Sequence, residues 1–123
     1  MKATRVATIC IRTSNNGFVA ARDGFIKAWK SGKYQGEQFG FESPAALFRT
    51  ISPKRWELLG RLQQIGPVGI RELARELERD FRRVHDDVIA LLETGLLEKT
   101  ADGKIWVPFK EIRTDIVLKP VAA

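Results

Sequence analysis

A chain of 123 residues, 44% apolar and 29% charged, has material for one compact core and hardly for two. No apolar run reaches the length of a bilayer span, and Ala3 to Ile11, interrupted by Arg5, is too short for a secretory leader. A single cysteine, Cys10, excludes an intramolecular disulfide. With only one histidine there is no conventional zinc set, so a cytoplasmic protein without metal or other cofactor is expected.

The net charge of +6 and a pI near 9.8 suit a polyanionic partner. The surplus is unevenly spread. Residues 1–40 hold 7 Lys/Arg against 2 Asp/Glu, whereas residues 41–123 hold 14 against 13. Contact with a nucleic acid by the second segment must therefore rest on where its arginines point.

Arg5 to Arg12 is rich in β-branched residues and predicts a first strand. Asn15, Asn16 and Gly17 mark a turn, because these residues tolerate positive φ. From Phe18 to Lys30, Phe18, Ala21, Phe25, Ala28 and Trp29 recur at helical spacing, although Gly24 weakens that helix. Gly32 and Gly36 break the chain before a short strand, Gln38 to Glu42. Ser43-Pro44 and Ser52-Pro53 each supply an N-cap followed by proline at the first helical position. The second of these helices carries Trp56, Leu59, Leu62 and Ile65, and Gly66, Pro67 and Gly69 end it.

Ile70, Leu73, Ala74 and Leu77 fall at i, i+3, i+4 and i+7, an amphipathic helix. After Glu78 and Arg79, Asp80 caps a further helix with apolar Phe81, Val84, Val88, Leu91 and Leu92, and Gly95 stands where a left-handed terminator is wanted. Leu96–Lys99 and Lys104–Val107 flank Thr100-Ala101-Asp102-Gly103, and Asp-Gly between short apolar segments signals a hairpin. Glu111 to Leu118 alternates as a last strand. This order predicts an α+β fold. Residues 46–123 are expected to form a winged helix-turn-helix with a C-terminal strand, and residues 1–45 a strand-helix extension for dimerisation or partner binding.

In a helix-turn-helix the second helix of the pair enters the major groove. Projected at about 100° per residue, Arg79, Arg82, Arg83 and Asp86 fall opposite the apolar stripe, with His85 at its edge. Arginine can clamp guanine or pair with phosphate, and cations at a helix N-terminus do not serve the helix itself. Lys54 and Arg55 in the first turn of their helix, and Lys99 and Lys104 on the hairpin, are further candidates for phosphate contact. The competing reading is a solvated face neutralised by Glu78, Asp86 and Asp87, with Asp87 as partner to an arginine. Trp29, Trp56 and Trp106 lie in apolar patterns and read as core or interface anchors. No nucleophile–base pair, phosphate-cradling loop or metal cluster is visible, so an enzyme is not expected.

The segments FESPAALF, SPKRWELL, ELARELERDFRRVHDDVIALLETGLL and VPFKEIRTDIVL resemble the small bacterial and archaeal winged-HTH regulators of the TumA antitoxin type. The run from Arg79 to Val88 is the most specific part, and FVAARDGFIKAW resembles that family's N-terminal helix. Phe81 departs from a common tyrosine, and the tail after Leu118 is extended. The resemblance implies a MarR-like transcription regulator, a repressor of its own operon that binds operator DNA as a homodimer in the cytoplasm, at the nucleoid. It also implies a cognate toxin protein as partner. The alternative is a winged-helix interaction module that neutralises or assembles with a partner protein without binding DNA.

Overall fold

The computed structural model describes residues 2–11 and 36–116. The turn at residues 15–17, the helix expected over 18–30 with Trp29, and the end of the last strand at 117–118 lie outside the described residues. The chain order is β1 (Arg5–Ile11), β2 (Glu37–Phe41), α1 (Pro44–Thr50), α2 (Pro53–Ile65), α3 (Ile70–Leu77), α4 (Phe81–Thr94), β3 (Glu98–Lys99), β4 (Ile105–Trp106) and β5 (Phe109–Thr114). The fold is mixed α+β.

Local chemistry sets the helix starts. Ser43 Oγ accepts from the Ala46 N–H at 3.0 Å and Ser52 Oγ from the Arg55 N–H at 3.4 Å, each satisfying a donor that the first turn leaves open. Asp80 Oδ2 does the same for the Arg83 N–H at 3.3 Å. α4 ends at Gly95, whose φ is +92°. A Cβ there would meet Phe39 Cε1 at 3.2 Å, so the end of α4 closes directly onto the β2 ring. Phe39 in turn packs edge-on against Phe109, with ring centroids 5.7 Å apart.

Two small sheets frame these helices. The first has the order β2-β1-β5 and is parallel throughout, with Ile9 opposite Phe39 on one side and Thr114 on the other. β3 and β4 pair antiparallel, and Val68, between α2 and α3, adds a rung by exchanging both backbone hydrogen bonds with Ile105. The last strand begins at Phe109, two residues before its expected start. Both edges of β1 are occupied within the sheet. The edges left among the described residues are the outer ones of β2 and β5.

The core joins every layer. Ala7 and Ile9 of β1, Leu47 of α1, Leu58, Leu59 and Leu62 of α2, Leu73 of α3, Val84, Val88 and Leu91 of α4, and Ile105 and Phe109 form one buried cluster. Segments on both sides of residue 45 thus share one sheet and one core. Arg5 fastens the rim. It pairs with Glu37 of β2 and Glu98 of β3, and its guanidinium lies 4.9 Å from the Phe109 ring centroid. Those two carboxylates push its pKa further up. Among the described residues no helix is long and apolar enough to cross a membrane.

Candidate nucleic-acid interface

The turn from α3 to α4 is short because Glu78 takes the left-handed conformation (φ 53°, ψ 45°), and its N–H bonds the Arg75 carbonyl at 3.1 Å. The Arg79 N–H reaches back to the Ala74 carbonyl at 3.0 Å. α4 then starts at the Asp80 cap, with Val84, Val88 and Leu91 turned into the core.

This turn decides which arginines face outward. Arg79, expected beside Arg82 and Arg83, points inward instead. Its Nη2 donates to Asp87 Oδ2 at 2.7 Å, while Arg55 Nε donates to Asp87 Oδ1 at 3.0 Å. The three side chains are only 17%, 22% and 14% exposed, in the order Arg79, Arg55, Asp87. Arg55 also donates to the Thr50 carbonyl at 2.7 Å, and Arg79 Nη1 is buried without a partner. Arg55 and Arg79 therefore brace α2 and the turn against α4, and only the edge of Arg79 reaches the surface where DNA is expected. Asp87 is the arginine partner that its position predicts.

Arg82, Arg83 and Asp86 are exposed, as the projection predicts. Among the described residues neither Arg82 nor Arg83 has an ion-pair partner within 4.0 Å. Lys54, Asp80 and Arg83 border one open depression with the edge of Arg79, which brings the first turn of α2 beside the first turn of α4. His85 is half-exposed, its Nδ1 3.8 Å from Asp86 Oδ1, with the Phe81 ring 6.0 Å away.

Two arginines escaped the sequence reading. Arg71 and Arg75 sit on the exposed face of α3 and border a second depression with Glu78, Arg79 and Phe81. The Arg71 guanidinium lies 4.5 Å from the Phe81 ring centroid, a cation–π contact that covers part of this exposed aromatic ring. Their i, i+4 spacing on the polar side of an amphipathic helix was the available signal.

The hairpin tip is ordered by its own hydrogen bonds. The Gly103 N–H reaches the Thr100 carbonyl at 3.0 Å, and Gly103, at φ +83°, takes the left-handed place of a bulged turn. Thr100 Oγ1 accepts from the Lys104 N–H at 3.0 Å and donates to the Asp102 carboxylate, which holds that carboxyl below its ordinary pKa. Lys99 and Lys104 are exposed, and Lys104 Nζ stands 3.8 Å from Asp102. Trp56 packs against the core and Trp106 lies half-buried in β4, as their apolar surroundings predict. Among the described residues no three His, Cys, Asp or Glu side chains gather as a metal set.

A mixed α+β chain whose exposed arginines on α3 and α4 border two open depressions, one of them shared with Lys54 of α2, is the class these features define. The chain belongs to the HVO_A0114 family, which matches it over residues 50–114, from the end of α1 to the end of β5. Comparison with curated proteins and with solved structures finds no match.

Proposed function

We propose that this protein is a winged helix-turn-helix DNA-binding regulator in which α3 and α4 form the helix pair, α4 enters the major groove, and β3–β4 is the wing. The observation that carries the reading is the pair Arg82 and Arg83. They are exposed near the start of α4 and without ion-pair partners among the described residues, while Arg55 and Arg79 behind them share Asp87 as counter-ion. The order α2, Val68 rung, α3, α4, β3, β4 supports the same reading, since a hairpin anchored beside the helix pair is what a wing requires.

In this arrangement Arg82, His85 and Asp86 face base edges, while Arg83 and Lys54 hold phosphate across the first turns of α4 and α2. Arg71 and Arg75 extend the phosphate track along α3, and Lys99 and Lys104 extend it along the wing. One helix reads only a few base pairs, so the regulator acts as a homodimer on a two-fold site, and the outer edge of β2 or β5 supplies the contact. In keeping with its resemblance to TumA-type antitoxins, it represses its own operon and binds a cognate toxin protein.

A mobility-shift assay on the protein's own promoter tests this. Arg82→Ala/Arg83→Ala should weaken binding at least tenfold, and the salt slope should flatten by about 0.9 for every phosphate that is no longer neutralised. The melting temperature should stay unchanged, because both side chains are exposed and unpaired. Full affinity in the double variant would overturn the assignment. Co-purification with the product of the neighbouring gene tests the toxin.

A further inference from the structure

α4 presents a second stripe, opposite its buried one. Arg82, Asp86, Ile89 and Glu93 follow one another at i, i+4, i+7 and i+11, on the side of the helix turned away from Val84, Val88 and Leu91. Three of the four are charged. Ile89 is the exception, at 39% exposure and outside the core cluster and the residues packed against it. An exposed β-branched side chain in mid-helix does nothing for the helix that Lys, Glu or Ala would not do better. Of the three other exposed large apolar side chains among the described residues, Phe81 lies partly under Arg71, Phe48 is on α1, and Ile116 follows the end of β5.

The position of Ile89 has a chemical counterpart in DNA. At 1.5 Å per residue, seven residues carry it about 10 Å beyond Arg82, or about three base-pair steps of 3.4 Å. The only apolar group on a major-groove base edge is the C5 methyl of thymine. A side chain that offers branched methyl groups and no hydrogen bond can discriminate there by apolar contact alone.

We propose that Ile89 is a specificity-determining residue that contacts a thymine methyl about three base pairs from the base that Arg82 meets. The inference rests on α4 being the recognition helix. It adds to that reading a base identity and a residue not otherwise assigned to the site. Arg82 and Asp86 then read hydrogen-bonding edges beside the methyl contact, along one line of the groove floor.

The test begins with duplexes selected from a random-sequence pool by the full-length protein, followed by replacement of each selected thymine with deoxyuridine, which lacks only the methyl. One position per half-site should weaken wild-type binding about fourfold, the worth of one buried methyl-sized group. Ile89→Gln should bind the thymine duplex more weakly, lose the difference between thymine and deoxyuridine at that position, and keep the wild-type melting temperature. If no deoxyuridine substitution weakens the wild type, or if Ile89→Gln stays equally sensitive, the methyl contact is refuted while α4 remains the reading helix. If the wild type enriches no sequence at all, the DNA-reading assignment falls, and this inference with it.

Discussion

Asp87 serves two arginines, so its loss should cost more than the loss of either arginine. In Asp87→Asn the side-chain volume is kept and no cavity opens, but Arg55 and Arg79 are left as two positive charges, each about one-fifth exposed, with no counter-ion. At an effective dielectric of 20 each pair is worth about 4 kcal/mol of direct attraction at 4 Å, much of it offset by desolvation. Removing the shared partner from a buried pair typically costs about 3–5 kcal/mol. Residual exposure of the arginines reduces this to about 2–4 kcal/mol. Arg79→Met, by contrast, leaves Arg55–Asp87 intact and removes a guanidinium whose Nη1 has no partner. It should cost about 1 kcal/mol or less, and adding it to Asp87→Asn should recover part of the loss. Urea titration followed by circular dichroism and tryptophan fluorescence reads all three variants. For a domain of this size a loss of about 3 kcal/mol lowers Tm by roughly 10–20 °C. A loss below about 1 kcal/mol in Asp87→Asn, or an equal loss in Arg79→Met, would show that the cluster behaves as ordinary surface ion pairs.

Glu78→Gly should stabilise the fold by about 0.5–1 kcal/mol, since relief of about 1–2 kcal/mol of left-handed strain outweighs the extra chain entropy of glycine, about 0.5–1 kcal/mol, and Glu78→Asn should gain less; unchanged urea midpoints in both would refute the strain. Gly95→Ala meets both a positive φ and the Phe39 ring and should cost about 1–3 kcal/mol in the same assay, whereas Gly60→Ala, with open space around it, should not. Asp102 should titrate below the usual aspartate range by carboxyl NMR and move back toward it in Thr100→Val. Because its folded pKa is depressed, its contribution is present above the unfolded value near 3.9 and is lost as the pH falls through the folded one.

The helices were legible because their signals are local. Ser43-Pro44, Ser52-Pro53 and Asp80 act within one turn of themselves, and Gly95 ends α4 for reasons that its own φ states. The sheet was not legible. Nothing in the neighbourhood of β1 says that it sits between β2 and β5, or that all three run parallel, because those pairings depend on residues far away in the chain. The Val68 rung is one residue between Pro67 and Gly69, too short to leave any periodicity. Within the candidate site the projection served well from Arg82 onward and failed at Arg79. A step of about 100° per residue holds only inside a helix, and Arg79 precedes the cap at Asp80 and follows the left-handed Glu78. Arg55 departs from expectation for a different reason. Its place in a first turn is as predicted, but its inward rotation is set by Asp87, 32 residues later.

The central place of β1 also bears on how the chain folds as it is made. Val6 pairs with Glu111, about 105 residues away, so β1 is made long before β5, the second of its two neighbours. At 5–20 residues per second, that leaves RVATICI waiting about 5–20 s for its second neighbour during synthesis. Helices α1 to α4 are complete by then. The natural order of events is a helical body formed early, with the parallel sheet zipped onto it when β5 emerges. Until that moment an apolar strand edge stays open, and it is during synthesis, more than in the finished fold, that this protein is most exposed to aggregation.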